Sequence, residues 1–332
     1  MARLQIWKPA IRLGRIMRIL VTRRSFYPAR AYPAATEGLA AFRVTDLIVK
    51  GLAELGHEVY YQVELGSEPM PGNVRWISNE SDAPSIDVAH RQVEPWVRMS
   101  DYPEPWVKTC HADLTARGFA RNLAEQNWIF VSRTLADSYG SKRYVLNGID
   151  PSEFIFSETK ENYFLFVSSL DRAEQKGLDV AVSLLKKTGA RLVIAGSASN
   201  DGVGQRIREM CAGANVELAG EALGARRAEL FAGAKALLFP TQINEGFGMV
   251  MTEALMSGTP VICSNRGACR EIISSDVGFV CDTEQDFLTA MANVGCIQPA
   301  TCRAKALREY HYLRMAEGYL KEYEREIGAS HS

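Results

Sequence analysis

The stretch Phe239 to Ile273, FPTQINEGFGMVMTEALMSGTPVICSNRGACREII, decides how this chain is read. Ala236 to Phe239 is an apolar run that spells a buried strand, and Pro240 to Glu245 leads from it as a loop. Gly246-Phe247-Gly248 then turns into a helix predicted over Met249 to Met256, which stops at Ser257-Gly258 before a strand over Pro260 to Cys263. That order points the helix N-terminus at the mouth of a parallel sheet. The backbone N–H groups of Gly248, Met249 and Val250, with the positive end of the helix dipole, suit a phosphate or diphosphate there, and the glycines allow its close approach. Glu245 stands ahead of the helix and Glu253 more than a turn inside it. Carboxylates accept hydrogen bonds from vicinal hydroxyls, so Glu245 suits a group beyond the phosphate and Glu253 the nucleoside side. The ligand so described is a nucleoside diphosphate sugar.

The segment resembles the C-terminal signature of the retaining glycosyltransferases of family 4. The matching residues are Pro240, Glu245-Gly246-Phe247-Gly248, Glu253-Ala254, Gly258, Pro260-Val261, Gly267 and Glu271-Ile272. The resemblance implies an α/β chain with the GT-B fold, two Rossmann-like parallel-sheet domains facing a deep cleft. It implies transfer of a sugar from a nucleoside diphosphate sugar to a hydroxyl acceptor with retention at the anomeric carbon. The catalytic residues it implies are Glu245, His111 and Lys176. The donor-binding residues are Arg172, Ser169, Gly246, Phe247, Gly248, Met249, Val250 and Glu253. Lys176 and the helix N-terminus supply the positive charge that a metal would bring, so neither a metal nor a cofactor is expected.

Three other places bear on this reading. Phe164 to Val167 ends in Ser168-Ser169-Leu170-Asp171-Arg172-Ala173-Glu174-Gln175-Lys176-Gly177, similar to the family's strand, loop and Lys-Gly helix start. Lys176 is the candidate cation for the diphosphate. The family's arginine falls on Ser169, and Arg172 is the nearest guanidinium to stand in for it, since a serine cannot hold phosphate oxygens bidentately. His111 closes the strand Trp106 to Cys110 and matches a histidine that faces the transferred sugar, while His57 and His90 read as structural. A Gly-Gly pair that the family carries after the first strand falls on Leu39-Ala40, so the glycine-rich approach is missing or shifted, which touches the acceptor side most.

Composition sets broad limits. A chain of 332 residues has the length of two domains, and a net charge of −1 argues against a nucleic-acid binder. The seven cysteines show no C-x-x-C pair or metal spacing and read as reduced thiols of an intracellular protein, which places the chain in the cytoplasm. Met1 to Thr36 carries eight Lys and Arg, among them Arg3, Lys8 and Arg12, and no acidic residue. This basic amphipathic stretch suits peripheral contact with the inner membrane face; alternatively residues 1 to 16 are an upstream extension, with Met17 to Val21 opening the fold.

Strands are expected near Arg18–Thr22, Glu58–Val63, Asn73–Ile77, Ile86–Ala89, Trp106–Cys110, Trp128–Ser132 and Tyr144–Leu146, with a helix over Glu37 to Leu55. A second set is expected near Tyr163–Val167, Arg191–Ala195, Val216–Leu218, Ala236–Phe239, Pro260–Cys263 and Gly278–Val280, with five helices between them. The turn formers Asn147-Gly148 and Asp150-Pro151 mark the boundary, giving domains 1–150 (acceptor side) and 151–302 (donor side), and a helix in 303–332 that packs back on the first domain. Two other functions fit the residues: a GT-B-like epimerase or phosphorylase, and a non-catalytic sugar-nucleotide-binding subunit. The base, the sugar and the acceptor (a polysaccharide, a lipid-linked saccharide or a small metabolite) are not legible.

Overall fold

A computed structural model describes residues 15–23, 40–62, 73–92, 105–115 and 127–330. The basic stretch up to residue 14, and the loop 24–39 with Gly38 and Leu39, lie outside the described residues. The chain divides into two compact units, one formed by Trp7–Ile149 with Tyr310–Ser332 and the other containing Asp150–Glu309.

The first unit runs β1 (Arg18–Arg23), α1 (Ala40–Glu54), β2 (Glu58–Gln62), β3 (Val74–Ile77), β4 (Val88–Gln92), β5 (Trp106–Cys110), β6 (Trp128–Phe130) and α2 (Arg133–Ser138). Its six strands are parallel in the order β3-β2-β1-β4-β5-β6. Apolar residues at 44, 47, 48 and 52 give α1 one greasy face, and all four are buried. The short α2 was not apparent from periodicity; Ser132 caps it, accepting from Leu135 N at 3.1 Å.

The second unit runs β7 (Phe164–Val167), α3 (Leu178–Thr188), β8 (Leu192–Ala195), α4 (Asp201–Cys211), β9 (Val216–Gly220), α5 (Gly224–Gly233), β10 (Ala236–Phe239), α6 (Met249–Met256), β11 (Val261–Ser264), α7 (Cys269–Ile272), β12 (Gly278–Cys281), α8 (Glu284–Asn293) and α9 (Pro299–Glu309). Its parallel order is β12-β11-β10-β7-β8-β9. In both sheets the order of the parallel strands reverses at the centre, between β1 and β4 and between β7 and β10. Open α/β sheets bind ligands outside the carboxyl ends of the strands at that crevice. The carboxyl ends of β7 and β10 carry the Lys176 and Glu245 loops.

Three expectations are corrected by backbone pairing. Tyr144 to Leu146 is not a strand: Val145 N donates to Phe130 O at 2.8 Å and a single bridge at Tyr144 is all that forms before the turn at Asn147-Gly148. The single helix expected in 303–332 is two helices, α9 and α10 (Tyr312–Ser330), because the backbone at Tyr310 and Tyr312 leaves the helix to bond both sides of Ile149, at 2.8 and 3.1 Å. His311 Nδ1 then accepts from Leu313 N at 3.2 Å and satisfies one of the first amides of α10. α10 crosses α1 so closely that a Cβ on Gly51 would lie 2.7 Å from that of Ala316. Finally, β4 begins two residues later than the apolar run implied and continues through His90-Arg91-Gln92. Asp87 is taken up before the strand, accepting from Arg18 N at 2.7 Å and from Arg15 at 2.6 Å. The polar residues that follow find their partners inside the unit.

Candidate functional site

β7 is buried along its length, and the loop after it is fixed to the next strand by Ser168 N on Ala195 O at 3.1 Å and Leu170 N on Ser197 O at 2.9 Å. Ser169 is exposed and its hydroxyl turns to Asp171 at 3.3 Å. Asp171 also accepts from the amide and hydroxyl of Ser199, and the Ser199 hydroxyl bond holds its carboxyl below the usual range. Arg172 is exposed on a 3₁₀ turn, where its Nε donates to Gln175 Oε1 at 3.4 Å. Among the described residues it bonds to neither Glu245 nor Glu253.

Lys176 is the residue that the fold brings to Glu245. Their side chains form an ion pair, 13% and 14% exposed, and the ammonium lies 5.4 Å from the centre of the Phe239 ring. Two close approaches hold them. Gly177, at φ +79°, starts α3 where an added Cβ would lie 1.9 Å from Pro240 O, and Gln242 N donates to Gln175 O at 2.9 Å. Glu245 is supported from the third side by the loop after β11: Ala268 N donates to its carbonyl at 2.8 Å, and a Cβ on Gly267 would sit 2.3 Å from that same oxygen.

Past Glu245, Gly246 and Phe247 are buried, and Gly248 opens α6 in the left-handed region at φ +85°. A side chain is costly there, which is why a glycine makes this turn. α6 is apolar nearly all round and is buried accordingly from Met251 to Met256, with Met249 buried and Val250 half-buried at its start. Its one charge, Glu253, is 5% exposed and bound by Arg227 of α5 at 2.5 Å. Arg227 was not singled out from the sequence. The available signal was its position four residues before the buried Phe231, whose ring it covers at 5.2 Å: a charge on the inward stripe of a helix.

His111 belongs to the other unit, at the end of β5. It is half-buried, and its Nε2 lies 2.9 Å from Gln92 Oε1. His90, one strand over, is fully buried, 2.7 Å from both Tyr323 Oη and Thr109 Oγ1. Burial pushes the two imidazoles down, His111 to about 4 and His90, further lowered by His111, to about 3. Both are neutral at pH 7. His57 accepts from Met17 N at 3.2 Å through Nδ1, a structural contact.

The depressed value at His90 predicts acid sensitivity. The unfolded chain takes up the proton near pH 6.5 and the folded chain does not, so stability is full above about pH 6.5 and falls as pH drops toward the folded value, by about 1.4 kcal/mol per pH unit. In urea titrations at pH 7 and pH 5, His90→Gln is expected to lose about 2 kcal/mol less than the native chain between the two. Equal losses would contradict a neutral His90.

Residues 151–294, which include every donor-side candidate, match the family described as Glycosyl transferases group 1. The chain is 30% identical over 155 residues to an uncharacterized glycosyltransferase of Methanocaldococcus jannaschii, covering 41% of this chain and 39% of that one. It is 23% identical over 202 residues to phosphatidyl-myo-inositol mannosyltransferase of Mycolicibacterium smegmatis, covering 55% and 52%. The chain thus matches about half or less of the length of these relatives. Among solved structures it is similar to AviGT4, a glycosyltransferase involved in avilamycin A biosynthesis, with a TM-score of 0.77 at 23% identity over 94% of this chain and 98% of that one. It is similar to sucrose-phosphate synthase of Thermosynechococcus elongatus at 0.76 and 16%, over 94% and 100%. HepE of Anabaena in complex with UDP and glucose gives 0.67 and 15%, over 93% and 100%. The architecture is the two-domain α/β fold of the GT-B structures, and the similarity to the glycosyl transferases group 1 family lies in residues 151–294. Among the described residues no helix is long and apolar enough to cross a membrane.

Proposed function

We propose that the protein transfers a sugar from a nucleoside diphosphate sugar to a hydroxyl acceptor with retention of anomeric configuration. The observation that carries this reading is the Lys176–Glu245 pair, held at the carboxyl ends of neighbouring strands beside the N-terminus of α6. A diphosphate at that N-terminus takes the Lys176 ammonium, and Glu245 is then released to accept from hydroxyls of the sugar. Glu253 keeps Arg227 on one oxygen and offers the other to the nucleoside hydroxyls. The glycosidic C–O bond breaks with its electron pair going to the leaving diphosphate, whose charge Lys176 and the helix dipole stabilise. The acceptor oxygen bonds to the anomeric carbon on the same face and its proton passes to the departing phosphate oxygen. This charge arrangement needs no divalent metal or cofactor. His111, neutral, hydrogen-bonds the sugar. HepE, solved with UDP and glucose, supports a nucleoside diphosphate hexose as the class of donor.

One observation favours the non-catalytic binding subunit instead: Ser169 is turned to Asp171 and Arg172 to Gln175, so Arg172 does not stand in for the family's arginine at the proposed phosphate site. Incubation with UDP-, GDP- and ADP-sugars in the absence of acceptor separates the two. A transferase releases nucleoside diphosphate slowly, and the freed sugar keeps the donor's anomeric configuration when read early by NMR. No release from any of them favours the subunit, and an inverted product contradicts retention.

A further inference from the structure

Gln92 joins the two histidines of the first unit. It ends β4, with Oε1 2.9 Å from His111 Nε2 and Nε2 3.1 Å from His90 Nε2. A primary amide accepts at one end and donates at the other, so it assigns the hydrogens on both rings. His111 presents N–H at Nε2 and His90 presents a lone pair at Nε2. His90 therefore carries its proton on Nδ1 and donates it to Tyr323 Oη at 2.7 Å. The Thr109 hydroxyl lies 2.7 Å from His90 Nε2 and 3.0 Å from the Tyr319 hydroxyl. His90, Thr109, Tyr319 and Tyr323 are all buried, so solvent does not exchange their partners. α10, far along the chain, thus holds His90, and through Gln92 holds His111.

We propose that Gln92 is a positioning residue that locks His111 as its Nε2–H tautomer and leaves Nδ1 as a hydrogen-bond acceptor for a hydroxyl of the transferred sugar. This rests on the reading of His111 as sugar-facing. Among the described residues the His111 ring is bonded through Nε2, to Gln92, and a ring tethered at one nitrogen presents the other in a fixed direction. A neutral acceptor there selects a donor sugar with a free hydroxyl at that place over its deoxy counterpart.

The test uses the full-length protein with ¹⁵N-labelled histidine. Long-range ¹H–¹⁵N spectra at pH 7.5 distinguish protonated from unprotonated ring nitrogens. His111 is expected as Nε2–H alone; Nδ1–H, or a mixture, overturns the lock. In Gln92→Leu the tautomers are expected to mix and donor hydrolysis to fall about tenfold in kcat with KM unchanged, the scale of one hydrogen bond made to the sugar and not to the diphosphate. Gln92→Glu keeps an acceptor for the His111 Nε2–H but loses the donor to His90 Nε2, so His111 is expected to retain its tautomer while His90 does not. An altered tautomer with native kinetics refutes the positioning role. Absence of any hydrolysis in the native protein defeats the transferase reading and leaves the tautomer result to decide the lock, so the two failures are distinguishable, and the native spectrum decides even where a variant does not fold.

Discussion

Replacing Glu245 by glutamine is expected to tighten binding of a free nucleoside diphosphate while lowering turnover at least about a hundredfold. The two effects have opposite signs because Glu245 has two partners in succession. Without a donor its carboxylate holds Lys176, both side chains being largely shielded from water. A diphosphate must draw the ammonium away from that carboxylate. Glutamine removes the competing charge, and the gain is about fivefold in affinity, the upper range for a partly exposed ion pair. Turnover falls because an amide accepts hydroxyl hydrogen bonds more weakly than a carboxylate as charge develops on the sugar; loss of one such group is worth about a hundredfold or more. Glu245→Ala is expected to lose turnover on the same scale. Native turnover in either variant contradicts the role given to Glu245, and unchanged affinity in Glu245→Gln contradicts the role given to Lys176.

Gly177→Ala is expected to damage both the stability and the donor site of the second unit. The residue lies at φ +79°, a region that costs a non-glycine residue about 1 kcal/mol or more, and its Cβ would meet Pro240 O at 1.9 Å. Neither the strand end at Pro240 nor the first turn of α3 is free to retreat, so overpacking adds about 1–3 kcal/mol. The expected loss is about 3 kcal/mol in urea unfolding, with donor affinity reduced as well because Lys176 and Glu245 are carried by the two segments forced apart. Gly189→Ala is the control: Gly189 is also left-handed, at φ +68°, but nothing lies within 4 Å of its Cβ position. Its cost is expected near 1 kcal/mol. Equal losses at the two glycines would show that the Pro240 contact is unimportant.

The elements set by local sequence are legible there. α6 runs over the expected Met249 to Met256 because a glycine turn opens it, apolar residues fill it and Ser257-Gly258 ends it. β5 likewise has its expected bounds. What escaped was decided by distant partners. The polar end of β4 reads as a loop until Tyr323, 233 residues from His90, supplies its hydrogen bond. The break at Tyr310 reads as continuous helix until Ile149 takes its backbone groups. Arg227 looks like one of two surface arginines, Arg226 and Arg227, until α6 brings Glu253 to it. In the candidate site, the pairing of Lys176 with Glu245 joins two loops 69 residues apart and has no local signature. In the sequence Arg172 has only its reach to recommend it, and the 3₁₀ turn over Leu170–Arg172 gives it to Gln175.

The function proposed for this protein depends on the loops after β7 and β10 forming a nucleoside diphosphate site whose cation is Lys176. Calorimetric titration of the native protein and of Lys176→Ala with UDP, GDP and ADP tests it most directly. One of the three is expected to bind in preference to the others, and Lys176→Ala to weaken that binding at least about tenfold, the loss of one charge-assisted contact to phosphate. Absence of binding by all three, or binding that Lys176→Ala leaves unchanged, would contradict it.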